Sequence, residues 1–116
     1  MRFLVLALGA VMLSGCMEDE ALVYCEKAVK NELRSPSTYK RIEANDYSTV
    51  KGEASYYIKF DASNAYGTPI RGLASCKGRV FKGDKVRPFE YLEVSVNGNE
   101  LSKDAIKILN ATLRVL

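Results

Sequence analysis

The sequence predicts an α+β domain with an N-terminal helix, three or four antiparallel strands and a C-terminal helix. Apolar residues recur every three or four positions over residues 17–33, and again after Ser102, as on one face of a helix. Over residues 39–96 they instead alternate with polar residues, which is typical of strands with one buried face. A single sheet with helices covering it satisfies both patterns.

The two predicted helices have recognisable ends. Acidic residues 18–20 lie at the positive end of the first helix dipole. Ser35-Pro36 ends that helix, because proline disfavours helical geometry in the residue before it. Its expected buried face consists of Leu22, Cys25, Val29 and Leu33. Ser102 is expected to cap the closing helix. The expected apolar face of that helix consists of Ala105, Ile108, Leu109 and Thr112.

Up to four strands are expected, the first of them short. They span residues 40–44, 54–62, 70–81 and 89–96, with turns at 64–67 and 82–84. The residues expected to face inward are Tyr56, Ile58, Phe60 and Ala62 on the second strand, Gly72, Ala74 and Cys76 on the third, and Leu92, Val94 and Val96 on the fourth. The Asn97-Gly98-Asn99 segment is expected to break the sheet.

The start of the chain is organised as an export signal. Arg2 provides a positive charge, residues 3–13 form an apolar run, and Ser14-Gly15 are the small residues that a signal peptidase requires. The run is shorter than the roughly 20 residues that a membrane-spanning helix needs. Leu13-Ser14-Gly15-Cys16 resembles the bacterial lipobox, in which the cysteine is acylated and the chain is cut before it. The alternative is an ordinary secretory signal that contains a cysteine.

The lipobox resemblance implies a chain in two parts. Residues 1–15 would be a removed lipoprotein signal peptide, and residues 16–116 a single mature domain anchored to membrane lipid through fatty acids, palmitate among them, on Cys16. Two or three acyl chains make a durable anchor, whereas one binds only marginally. The implied location is the cell envelope. In Gram-negative lipoproteins an Asp after the acylated cysteine favours the inner membrane. Met17 therefore implies the outer membrane, facing the periplasm, although some bacteria read Glu18 and Asp19 as a retention signal.

The cysteine count predicts one disulfide. If Cys16 carries lipid, Cys25 and Cys76 remain as the other two cysteines of an exported chain. In an oxidising compartment such a pair is expected to form a bridge. Metal ligation and a free reactive thiol are the alternatives, and no neighbouring residue supports either.

Two segments resemble signatures of small exported bacterial proteins. CEKAVKNELRSPSTY, residues 25–39, resembles a cysteine-bearing helix that ends in a Leu-x-Ser/Asp-Pro-x-Ser/Thr element. FDASNAYGTPIRGLASC, residues 60–76, resembles a strand ending in an Asn-x-aromatic-Gly turn, followed by a return strand with the second cysteine. The likeness covers residues 25–96 and not the closing helix. It implies the fold and the disulfide, and no activity.

Catalytic chemistry has little support in the sequence. The chain has no histidine, and lipid and disulfide account for its three cysteines, so the commonest base and nucleophile are missing. No spacing selects a Ser–Lys pair among Ser35, Ser37 and Ser75, and Glu90 and Glu93 are expected on opposite faces of a strand. No spacing matches a calcium or zinc site. We therefore predict no enzymatic activity, and no cofactor, metal or small-molecule substrate.

The charges offer one candidate surface. Residues 1–15 contain one charged residue, Arg2, so the mature chain has 16 basic residues (17 − 1) and 14 acidic ones. This balance is no nucleic-acid signature, so no nucleic-acid partner is expected. Arg71, Lys77 and Arg79 are expected on the strand face opposite Cys76. There they either meet an anionic surface, such as lipopolysaccharide or acidic head groups, or form the solvated face of the sheet.

The tyrosines offer a second candidate surface. The chain has seven tyrosines and no tryptophan. Tyrosine is enriched at protein interfaces because it combines an apolar ring with a hydrogen-bonding hydroxyl. Tyr57, which points away from the predicted apolar face, and Tyr66, in a turn, are the candidate interface residues. The alternative is that most of the tyrosines are half-buried strand residues.

These observations predict a small lipid-anchored envelope protein that acts as a non-enzymatic interaction module, with another envelope protein as its partner. One alternative is an inhibitor of a cell-wall hydrolase, although the Ser-Gly-x-x-Tyr loop of lipid-anchored lysozyme inhibitors is not found in the sequence. Another is an exclusion lipoprotein encoded by a phage or plasmid, which would block an incoming channel or receptor.

Overall fold

The computed structural model describes residues 19–113, within which there are two α-helices and a five-stranded antiparallel sheet. The helices are α1, Glu20–Asn31, and α2, Lys103–Leu113. The strands are β1, Lys40–Asp46; β2, Glu53–Ser63; β3, Pro69–Val80; β4, Phe89–Val96; and β5, Asn99–Glu100. They lie in the sheet in chain order. The α+β class is confirmed, and the sheet has more strands than predicted.

Several sequence predictions lie outside the described residues. They include the export signal, the lipobox, Cys16 and the expected first residues of the N-terminal helix. Within residues 19–113, neither helix has the length and apolar character needed to cross a bilayer.

The additional strand, β5, arises at the Asn97-Gly98 pair, where the sequence predicts a break. Asn97 and Gly98 have φ angles of 52° and 83°. Two consecutive residues with positive φ form a type I′ hairpin turn, for which Asn-Gly is a favoured sequence. The chain therefore turns back, and β5 pairs with the end of β4. The predicted break is wrong for this reason.

The ends of α1 are set by Asp19 and by a tightening of the last turn. The Asp19 carboxylate accepts hydrogen bonds from the Ala21 N–H group (3.0 Å) and from the Tyr56 hydroxyl of β2. At the other end, the N–H groups of Glu32 and Leu33 donate to carbonyls three residues back, which is 3₁₀ geometry. The helix therefore ends two residues before its predicted end. A short 3₁₀ helix, Pro36–Thr38, leads on to β1.

The inner face of the sheet packs against α1 to form the core. Every residue of β2 and β3 that the alternation predicts to face inward is buried. Small residues on β3 let the helix approach closely, so the Cα atoms of Cys25 and Cys76 are 5.7 Å apart and their sulfur atoms form a disulfide, as expected. Gly78 lies two residues after Cys76 on β3. The Phe89 ring occupies the space above Gly78, so a Cβ atom at this position would collide with the ring.

Glu26 provides a second link between α1 and the sheet. Its buried carboxylate accepts hydrogen bonds from the Tyr39 hydroxyl (2.5 Å) and the Arg41 Nε atom (2.9 Å). Burial opposes ionisation of Glu26, but the hydrogen bonds from Arg41 and Tyr39 outweigh it and lower the pKa of this carboxyl. Burial and the hydrogen bond to Glu26 raise the pKa of the Tyr39 hydroxyl. The cluster ties α1 to the start of β1.

A bulge in β4 changes which of its residues face inward. The pairing with β3 shifts between Lys77 and Gly78, so that Gly78 pairs with Tyr91 and Leu92 is left without a partner on β3. Tyr91 is buried, whereas Leu92 is only half-buried. The prediction that Leu92 faces inward is therefore wrong. The other two predicted positions on β4 are buried as expected.

Helix α2 packs along β4 with a rotation that the sequence does not predict. Ser102 caps it as expected, since its Oγ atom accepts a hydrogen bond from the Ala105 N–H group (3.1 Å). The Asn110 carboxamide pairs with the backbone N–H and C=O groups of Tyr91 (2.7 and 3.1 Å), in place of a neighbouring strand. This pairing leaves Ile108 67% exposed, so the predicted apolar face is partly wrong. The residues of α2 that contact the core are Ile106, Leu109 and Leu113.

Candidate interaction surface

No helix or strand within residues 19–113 covers the outer face of the sheet, which lies opposite α1. Three apolar side chains, Tyr47, Tyr57 and Leu73, lie on this face, and each is about half exposed. Tyr57 pairs with Ser75 across β2 and β3, which makes Leu73 its diagonal neighbour. Tyr47 follows the end of β1. We call Tyr47, Tyr57 and Leu73 the outer-face patch.

Tyr47 and Tyr57 form a ridge on this face. Their ring centroids are 6.0 Å apart and their planes are inclined by 83°, an edge-to-face arrangement that is favourable for aromatic rings. Shallow grooves of about 470 Å³ and about 170 Å³ lie on either side of the ridge. The side chains that line the grooves with the two tyrosines include Ser55, Ser75, Lys77 and Glu93 in the larger, and Glu43, Asn45, Lys59 and Leu73 in the smaller. The ridge and its two grooves therefore form one surface that is mostly apolar and also contains polar and charged side chains.

The three basic candidates of β3 lie on the outer face, each beside an acidic residue. The pairs are Arg71 with Asp61 (2.6 Å), Lys77 with Glu53 (3.8 Å) and Arg79 with Glu90 (3.0 Å). The hydrogen bond from Arg71 lowers the pKa of the Asp61 carboxyl. The row is therefore a set of ion pairs around the outer-face patch rather than a positively charged surface.

Tyr66 lies apart from the outer-face patch. It is 92% exposed in the β2–β3 turn. The Asn64 carboxamide oxygen shapes this turn by accepting the N–H groups of Tyr66 (2.9 Å) and Thr68 (3.0 Å). About 20 Å of extended strand separates Tyr57 from the end of β2. The two candidate tyrosines are therefore not brought together.

The β4 bulge also brings Glu90 and Glu93 to the same face of the sheet. Glu90 contacts Arg79 on the outer face, and Glu93 lines the larger groove on the same face. The expectation that they lie on opposite faces is wrong, because the extra residue reverses the alternation between them. No group of three metal-binding side chains is found within residues 19–113. The absence of enzymatic activity stays a prediction.

Two members of the outer-face patch were not among the predicted candidates. Leu73 has a sequence signal, since strict alternation places it on the same face as Arg71, opposite Cys76. Tyr47 has none, because it follows β1 and reaches the outer face only through the pairing of β1 with β2. In that pairing Asn45 lies opposite Tyr57.

Comparisons of the chain with protein-family models, with curated proteins and with solved structures each give no match.

Proposed function

We propose that the protein is a lipid-anchored component of the bacterial envelope that binds another envelope protein through the outer face of its sheet, without catalysing a reaction. The observation that most directly supports binding is the outer-face patch, an exposed aromatic and aliphatic centre bordered by ion pairs. Protein interfaces typically combine such a centre with a polar rim. A surface of alternating ion pairs also suits a protein partner better than a polyanion.

The proposed anchor rests on the lipobox resemblance and is tested separately from binding. Cys16→Ser is expected to abolish incorporation of labelled palmitate and either to block processing or to release a soluble form. A variant that still incorporates palmitate and stays in the membrane would contradict the anchor.

The proposed membrane is the outer one in a Gram-negative host, with the domain facing the periplasm, because Met17 follows the acylated cysteine. Density-gradient separation of the two membranes tests this assignment, and Met17→Asp is expected to move the protein to the inner membrane. Recovery of the unmodified protein with inner-membrane markers would contradict it.

The binding surface is tested by photo-crosslinking in intact cells. A photoreactive phenylalanine analogue in place of Tyr57 is expected to form a covalent adduct with one envelope protein after irradiation. The matched control carries the same analogue at Ile108, which is exposed on α2 outside the outer-face patch. The same adduct formed equally well from Ile108 would show that the outer face is not the binding surface.

A second variant tests whether the patch contributes binding energy. Leu73→Glu introduces a charge at the patch, and loss of a central contact worth about 2 kcal/mol weakens binding about 30-fold. Leu73 is half exposed, so the fold is expected to persist, which circular dichroism checks. An undiminished Tyr57 adduct would contradict the proposal. If the trapped partner is a cell-wall hydrolase or an incoming channel, the inhibitor or the exclusion alternative applies.

A further inference from the structure

Three segments meet at the end of the domain where α1 begins. The first turn of α1 and the β3–β4 loop, residues 81–88, line one cavity of about 200 Å³ that includes Asp19, Lys82 and Pro88. The β1–β2 connection reaches the same end, because the Val80 N–H group donates to the Gly52 carbonyl (2.8 Å). We call this region the α1 end of the domain.

The β3–β4 loop is basic, and its cations differ from those of the sheet. It contains Lys82, Lys85 and Arg87. Its single acidic residue, Asp84, is turned back into the loop, where it accepts the N–H groups of Arg87 and Val86 (both 2.9 Å), which lower the pKa of its carboxyl. Within residues 19–113 none of the three loop cations forms an ion pair, unlike the three on β3. Val86, between them, is 74% exposed.

Most of the described acidic residues at the α1 end accept hydrogen bonds from neighbouring groups of the domain. Asp19 caps α1 and accepts the Tyr56 hydroxyl. Asp46, at the end of β1, accepts the Ser48 N–H group (2.8 Å). Glu20 is exposed in the first turn of α1, where the helix dipole partly offsets its charge. Among the described residues, none of these acidic side chains forms an ion pair with the β3–β4 loop, whose exposed charge is positive.

The distance along the chain places this end near the proposed anchor. Two residues, Met17 and Glu18, lie between Cys16 and Asp19. The three backbone steps from Cys16 to Asp19 extend at most about 10 Å in any conformation. An acylated Cys16 would therefore hold the α1 end close to the head groups, and the loop would meet them at high effective concentration.

We infer that the β3–β4 loop is a contact surface for the head groups of anionic phospholipids and sets the orientation of the anchored domain, an inference that rests on the anchor proposed at Cys16. Lys82, Lys85 and Arg87 meet lipid phosphates, and Val86 enters the boundary with the acyl chains. A basic residue near an anionic membrane strengthens the contact about fivefold. In this orientation Tyr66, at the other end of β2, points away from the bilayer, and the outer-face patch stays accessible from the side.

The absence of tryptophan from the chain makes a direct test possible. Val86→Trp introduces a single tryptophan at the loop, and Tyr66→Trp is the matched control at the other end. The acylated proteins are reconstituted in vesicles of phosphatidylcholine alone, or with about one-third phosphatidylglycerol, each containing brominated acyl chains as quenchers. The tryptophan emission of Val86→Trp is expected to shift to the blue and to be quenched only in the anionic vesicles. Both changes are expected to be smaller at high salt, because salt screens the attraction between the loop and the lipids. The tryptophan of Tyr66→Trp is expected to show the unshifted, unquenched emission of a solvent-exposed side chain in both kinds of vesicle.

Charge variants test the cause of the contact. In the Val86→Trp chain, replacing both Lys82 and Lys85 by Gln is expected to lower the equilibrium constant for contact between the loop and the anionic head groups about 25-fold. Lys77→Gln, on the ion-paired outer face, is the control and is expected to leave it unchanged. Equal quenching in both kinds of vesicle, or quenching that survives loss of both lysines, would overturn the inference.

Flotation with the vesicles separates the two proposals. If the Val86→Trp protein floats with the vesicles but its tryptophan is not quenched, the proposed loop contact is wrong and the anchor still stands. Protein that does not float removes the anchor and the loop contact together. A tryptophan at position 86 whose emission is blue-shifted in native envelopes but not in anionic vesicles would also contradict the lipid contact. It would indicate that a protein, rather than lipid, covers the loop.

Discussion

Replacing Cys25 and Cys76 together by alanine would remove the covalent link between α1 and β3 without leaving a free thiol at either position. The two cysteines are 51 residues apart in the chain, and both are buried in the core. The bridge therefore restricts a large part of the unfolded chain, while in the folded domain it joins elements that already pack together.

The expected loss follows from that separation. In the chain-entropy account, opening a loop of this length costs about 4 kcal/mol at 25 °C. Small domains have a total unfolding free energy of about 5–15 kcal/mol, so the bridge is a large share of it. For a domain of this size the loss corresponds to a fall of about 15–30 °C in the thermal midpoint. The two missing sulfur atoms add a smaller cavity cost.

Thermal and urea unfolding, followed by circular dichroism, measure the loss. The comparison includes the oxidised protein, the double alanine variant and the unmodified protein with reductant. The reduced protein keeps both sulfur atoms, so it separates the cross-link from the cavity. Midpoints for both bridge-free forms within about 5 °C of the oxidised protein would refute the chain-entropy reasoning.

Two further substitutions test packing and charge in the core. Gly78→Ala places a Cβ atom against the Phe89 ring and is expected to cost about 1–3 kcal/mol in urea unfolding, and less in a chain that carries Phe89→Leu. Simple addition of the two losses would argue against the predicted clash. The lowered pKa of Glu26 means that its ionised form stabilises the fold above its unfolded pKa, and that this contribution is lost as the pH falls through the folded pKa. From about pH 5 to about pH 3 the thermal midpoint of Glu26→Gln should therefore fall less steeply than that of the unmodified protein. Parallel pH profiles would contradict the role assigned to this carboxylate.

The strands were largely predictable because their signal is local. On β2 and β3 the alternation of apolar and polar residues predicted the buried faces correctly, since the register between these two strands is continuous. On β4 the same rule failed at Leu92, because the bulge depends on how β4 meets Gly78 and not on the sequence of β4 itself. The rotation of α2 failed for a similar reason, since it depends on the amide pairing of Asn110 with Tyr91.

The features of the candidate surfaces were likewise predictable only in part. The sequence by itself determined the class of fold, the bounds of β4, the cap at Ser102 and the exposure of Tyr57 and Tyr66. These features depend on periodicity, capping and turn chemistry within a few residues of the chain. Only the tertiary structure decided that Tyr47 lies beside Tyr57 and that the β3–β4 loop lies at the end where α1 begins. It also decided that, within residues 19–113, the cations of β3 form ion pairs with acidic residues while those of residues 81–88 form none. Such juxtapositions depend on strand register and on the packing of segments that are far apart in the chain, and a local pattern carries no information about either.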